Sequence, residues 1–274
     1  MRFLAKMKEK QMQKRLGGAL FGLLCAGMLV MPSAWAAGGQ LYFFGTDGKT
    51  KQLTGAKVSL DTGSYLGIYG GYNDDKPGQR VYKNQITLTG NTNAYRAYGG
   101  YSEDGDAAEN TVSITNMDNF NGEVFGGCSI NGDAAKNTVS ISGSTVNNYV
   151  LGGSAYKESV NNTVNIKDST INGGVDGGWA FDGLSEKNIV NISASKVSYN
   201  VYGGYTENHS AVDTITIDNN TVALQNGTIV KGTVYGGFVV EGKVTHKNNT
   251  LEIAGVGNKA GNVKNFDNFN FVVD

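Results

Sequence analysis

Cysteine and proline are nearly absent from this sequence, and so is any helical pattern. The 274 residues contain two cysteines and two prolines. Cys25 falls in a removable N-terminal segment, so Cys128 is left alone and no intramolecular disulfide can form. The fold must therefore rest on packing and backbone hydrogen bonding instead of covalent staples. So little proline argues against a proline-rich disordered stalk. After residue 36 no run of ten or more residues places apolar side chains at helical spacing, which excludes an amphipathic helical bundle. Arginine is scarce as well; beyond the leader only Arg80 and Arg96 occur.

The leader itself has three parts. Residues 1–15 carry six basic groups against the single acid Glu9, "LGGALFGLLCAGMLVM" follows at 16–31, and "PSAWA" places Ala34 and Ala36 in an A-x-A arrangement. Basic head, apolar middle and small-residue exit make a secretory signal with cleavage expected after Ala36. The apolar run is shorter than the roughly 20 residues of a spanning helix. Gly22, Leu23 and Leu24 before Cys25 do not suit a lipoprotein signal. Of 23 basic and 24 acidic groups, the leader holds six and one, leaving 17 and 23, about −6. A mildly acidic remainder repels phosphate backbones, so nucleic acid is not an expected partner.

Glycine, by contrast, is abundant, with 40 residues. Much of it recurs in pairs whose second members are Gly71, Gly100, Gly127, Gly153, Gly178, Gly204 and Gly237. A second marker, a polar residue opening a β-branched run, falls at Asn84, Asn110, Asn137, Asn162, Asn188, Asp213 and Asn249. Two markers keeping one period of roughly 26 residues signify stacked structural units. Within a unit, "NTVSI", "NTVNI" and "DTITI" alternate polar and branched apolar residues at period two, the signature of strands.

One such unit cannot bury its own apolar face, but parallel stacking buries it continuously. The expected fold is all-β: a parallel β-helix, or β-solenoid, of about seven turns. Glycine pairs would allow close approach or positive φ at a bend, and aligned asparagines could pass amide hydrogen bonds between turns. Tyr69, Tyr98, Phe125, Leu151, Asp176, Tyr202 and Tyr235 precede the glycine pairs by one residue and should stack in a column, interrupted at Asp176. Variable polar segments such as "YNDDKPGQRVYK" and "WAFDGLSEK" read as loops projecting from one edge. The chain divides into a leader over 1–36, a cap with first strands over 37–66, solenoid repeats over 67–255 and a final strand over 256–274.

Repeats of the form "VYGGY…GDA…NTVSI", over about residues 55–255, resemble the passenger regions of autotransporter-like bacterial surface proteins. The resemblance implies a β-helical passenger, export through the envelope, and a C-terminal β-barrel that anchors or translocates the rod. It implies adhesion, surface display or spacing at the cell surface or outside it. Partners would be host-cell or matrix glycans or proteins, or neighbouring bacteria. The sequence to Asp274 contains no series of barrel strands; "GNVKNFDNFNFVVD" reads as passenger sequence that continues, or as the end of a shortened product secreted without an anchor.

Other parallel β-helices cleave polysaccharides, so a polysaccharide-active enzyme is the alternative to a rod without activity. Lyases need a carboxylate-held cation and a base, whereas hydrolases need paired carboxylates across one groove. Here the acids lie mainly in the variable segments, and G-x-S-x-G is absent. His209 and His246 read as surface residues of adjacent loops. Asp74 and Asp75, with Glu103, Asp104 and Asp106, would meet at one corner of neighbouring rungs, where oxygen ligands can hold Ca²⁺; a solvated turn is the favoured reading. No catalytic, cofactor-binding or metal-binding residue is assigned and no cofactor is expected. A carbohydrate-binding module is the remaining alternative, with Tyr72, Tyr101, Trp179, Tyr205 and Phe238 as sugar platforms; packing within the corner is the favoured role for these rings.

Overall fold

A computed structural model describes residues 42–208 and 214–272. The expected leader and the expected cleavage point after Ala36 lie outside the described residues. The chain is all-β and winds as a parallel β-solenoid of about eight turns of about 27 residues. The rung containing Gly127 illustrates the unit. It comprises Glu123–Ser129, Ala134–Ala135, Thr138–Ser142 and Thr145–Val146. Its strands pair in parallel with their counterparts on adjacent rungs, as in Val124 to Val150 and Val139 to Val164. Tyr42–Phe44 adds a rung before the first glycine pair, and Asn268–Val272 adds one at the other end.

Period-two alternation sets which side chains fill the interior. In Thr138–Ser142, Val139 and Ile141 are buried while their neighbours face outward. Stacking places Val112, Val139, Val164, Val190 and Val222 in one column and Ile114, Ile141, Ile166, Ile192 and Leu224 in the next. All belong to one continuous apolar core. Each such side chain contributes about 1.5–3 kcal/mol on full burial, so the core grows with every rung.

The polar corner is equally regular. Asn84, Asn110, Asn137, Asn162, Asn188, Asn220 and Asn249 are all fully buried. Each Nδ2 from Asn84 to Asn220 donates to the Oδ1 of the next asparagine at 3.0–3.2 Å. The second Nδ2 hydrogen goes to a carbonyl, such as Ala107 O for Asn137. Each Oδ1 also accepts a backbone N–H from the preceding rung, as Asn162 does from Asn137. From Asn84 to Asn220 each amide is thereby satisfied without water.

The ladder corrects one marker. Asp213 lies outside the described residues, and Asn220 occupies the position assigned to it. The "TITI" that follows Asp213 belongs to the strand Thr214–Asp218, which pairs with Lys243–Lys247 in a separate sheet. The counterpart of "NTVSI" is Thr221–Gln225, paired to Ile189–Ser193. An aspartate has no amide donor with which to extend such a ladder.

Two further expectations change. The segments after the glycines are not simply projecting loops. Val81–Tyr82, Ala107–Ala108, Ala134–Ala135, Ser159–Val160 and Ser185–Glu186 form a five-stranded parallel sheet. Positive φ also falls elsewhere than at the glycine pairs, at the residue before each ladder asparagine, including Lys83, Glu109, Lys136, Asn161 and Lys187. The glycine pairs serve close approach. A Cβ on Gly126 would lie 2.3 Å from the Gly152 carbonyl oxygen, and one on Gly127 would lie 2.5 Å from Asn137 Nδ2.

Candidate functional site

The strands that contain the glycine pairs turn two side chains away from the core. In Val201–Thr206, Val201 belongs to the main core, so the pleat directs Tyr202 to the opposite face. Tyr202 and Tyr205 meet there in a T-shaped contact at 5.2 Å. The same relationship on other rungs creates a second apolar cluster, containing Tyr98, Tyr101, Phe125, Leu151 and Phe181. The expected column before the glycines is present in register from Tyr69 to Tyr235. Its rings stack at 5.1 Å for Tyr69–Tyr98, 4.7 Å for Tyr98–Phe125 and 5.0 Å for Tyr202–Tyr235.

Asp176 breaks the stack between Leu151 and Tyr202. The same rung is bare just before it. Gly173 and Gly174 stand where the adjacent rungs carry Asn148–Tyr149 and Tyr199–Asn200, as the backbone bonds Val150 N to Gly174 O and Val175 N to Asn200 O show. A Cβ on Gly174 would lie 2.9 Å from the Tyr149 ring. Beside Asp176, where a small carboxyl group stands in a column of larger side chains, lies a cavity of about 310 Å³. Its walls include Phe125, Leu151, Trp179, Tyr202 and Tyr205, with Tyr149 and Tyr199 exposed beside it.

Asp176 is only 9% exposed and its Oδ1 has no hydrogen-bond partner. Burial pushes its pKa up to about 7, because removing a carboxylate from water disfavours the charged form. Glu123 also borders the cavity, but its carboxylate accepts from Arg96 Nε at 2.7 Å. Burial opposes the Arg96 charge, yet Tyr98 and Glu123 hold its pKa above the usual arginine value. Asn200 is engaged at both ends: Oδ1 accepts from Thr233 N, and Nδ2 donates to the Tyr202 hydroxyl. Burial, chiefly, raises the pKa of Tyr149, Tyr202 and Tyr205, so their hydroxyls stay neutral.

The residues weighed as sugar platforms share one register column but not one environment. Tyr101 is 3% exposed and buried among other rings, which leaves no face for a sugar. Tyr72 stacks on it at 5.1 Å. Cys128 and Ser154 then split the column. Trp179 and Tyr205 border the cavity, and Phe238 stacks on Tyr205. The sequence marks Asp176 as a break in the column but not the cavity beside it, because the walls come from side chains on neighbouring rungs.

The acidic corner is assembled on adjacent rungs, with Glu103 N bonded to Asn73 O. Its carboxylates meet other partners. Asp74 pairs with Lys51 at 2.6 Å, Asp106 with Arg80 at 3.7 Å, and Asp104 accepts from Asn131. Among the described residues no group of three or more His, Cys, Asp or Glu is arranged to hold a metal ion. His209 lies outside the described residues. His246 is in the strand Lys243–Lys247 instead of a loop, half-buried, with its pKa lowered chiefly by burial.

Among the described residues, no helix is long and apolar enough to cross a membrane. No protein-family model, curated protein or solved structure matches the chain.

Proposed function

We propose that the chain is a non-enzymatic, exported, passenger-type rod that serves adhesion, surface display or spacing at the bacterial cell surface. The observation that carries this reading is the continuous parallel stack itself. One wound 19-stranded sheet and an unbroken asparagine ladder make a stiff body from a repeated unit. Such a body sets distance and presents side chains in fixed register. Export is supported by the three-part leader, and the surface role by the resemblance of the repeats to autotransporter-like passengers.

The test has two arms. The full chain, expressed in a Gram-negative host, should appear outside the cytoplasm with Ala37 at its N-terminus, and beads coated with it should bind glycan- or matrix-coated surfaces or bacterial cells. Retention in the cytoplasm with Met1 intact would overturn the export reading. Turnover of a uronate or neutral polysaccharide by the purified rod would replace the display reading with an enzymatic one.

A further inference from the structure

We propose that the cavity beside Asp176 binds the alkylammonium head of an organic cation. This goes beyond the display role and does not depend on where the protein resides. Three observations point to it. The walls are aromatic and apolar, formed by Phe125, Leu151, Trp179, Tyr202 and Tyr205 with Tyr149 and Tyr199 beside them. The lining contains no lysine or arginine. Asp176 contributes a buried carboxyl oxygen that lacks a partner.

Aromatic faces attract a cation through their quadrupoles, most strongly where water is excluded. An incoming positive charge would give Asp176 the counter-ion it lacks. With the carboxyl pKa near 7, modest stabilisation of the carboxylate is enough to ionise it at neutral pH. The volume, about 310 Å³, lies at the small end of ligand pockets, which run from about 300 to 1,000 Å³.

Competing ligand classes fit less well. A sugar needs several convergent donors and acceptors, yet Asn200 is engaged at both ends and Glu123 is taken by Arg96. An inorganic cation needs an oxygen-rich shell, whereas these walls are largely rings. The floor of the cavity is set by the stack itself, since Phe125, Leu151, Asp176 and Tyr202 are register partners on consecutive rungs.

The test is calorimetric titration of the purified chain with choline, its neutral isostere 3,3-dimethylbutanol, and methyl glucoside. Choline should bind, and the other two should bind at least tenfold more weakly. Asp176→Asn, nearly isosteric, should weaken choline at least tenfold. Tyr199→Ala should weaken it severalfold, while Tyr199→Phe, which keeps the aromatic face, should stay within twofold of the parent. Because Tyr199 is 60% exposed, neither change threatens folding; circular dichroism would verify this for all variants. Phosphatidylcholine vesicles form a further arm, in which binding of vesicles, free choline or both supports the cation assignment and identifies its source. No binding of either, equal affinity for the neutral isostere, preferential binding of the glucoside, or unchanged choline affinity in Asp176→Asn would overturn it.

Discussion

Tyr149 and Tyr199 stand two rungs apart, yet their ring centroids are only 6.5 Å from each other. Two steps of parallel stacking would separate equivalent atoms by about 9.6 Å. The rings close this distance across Gly173 and Gly174, which place no side chain between them. Both rings border the cavity beside Asp176.

Asp176 couples that cavity to pH. Its folded-state pKa, about 7, exceeds the ordinary aspartate value of 3.8. A raised carboxyl pKa means that the folded state binds the proton more tightly, so its contribution to stability is complete below about pH 4 and lost as pH rises toward 7. The shift corresponds to a few kcal/mol, on the order of 4. Asp176→Asn should therefore stabilise the protein at pH 8 and remove this component of the pH dependence. Thermal melting of parent and variant from pH 4 to 8 measures the difference; parallel curves would contradict the burial argument.

Gly127→Val should destabilise by about 3 kcal/mol or more. The new Cβ would meet the fully buried Asn137 amide at 2.5–2.6 Å, adding overpacking to the disruption of a satisfied polar group. Ala135→Val is the contrast, expected within about 0.5 kcal/mol, since the next rung already carries Val160 at that position. Chemical denaturation should separate the two, and limited proteolysis should cut the rungs around 127 before the ends.

Removing a ladder amide should be comparably costly. Asn137→Ala strips the acceptor from Asn110 N and Nδ2 and the donor from Ala107 O and Asn162 Oδ1. With a cost of about 1–3 kcal/mol for a buried group left unpaired, a total near 3–5 kcal/mol is expected. Asn165→Ala, on the half-exposed outer pair with Asn191, should cost less than about 1 kcal/mol. Similar urea midpoints for both variants would remove the ladder from the energetic account.

Ala194→Gly should instead stabilise. Ala194 is exposed at φ 49°, where an L side chain is strained, and Gly143 takes the corresponding conformation at φ 56° in an earlier rung. Relief of about 1–2 kcal/mol of left-handed strain outweighs the added freedom of glycine in the unfolded chain, about 0.5–1 kcal/mol. A net gain of roughly 0.5–1 kcal/mol should appear as a higher melting temperature.

The repeat, its parallel stacking, the core columns and most of the asparagine ladder are legible in the order of residues alone. These are periodic features, and a period of about 26 residues with strand-like alternation admits few ways of burying the apolar positions. Where the period stretched, between Gly204 and Gly237, local pattern pointed to Asp213, because "DTITI" alternates as convincingly as "NTVAL". Tertiary structure decided for Asn220: only an amide aligned between Asn188 and Asn249 completes both hydrogen bonds. It also decided that the glycine pairs permit close approach and not positive φ, a distinction that depends on how near the next rung lies. The cavity is the extreme case. In one dimension Asp176 is only an interruption of the ring column, and it borders a cavity because rungs on either side supply Phe125, Tyr149, Tyr199 and Tyr202 around it.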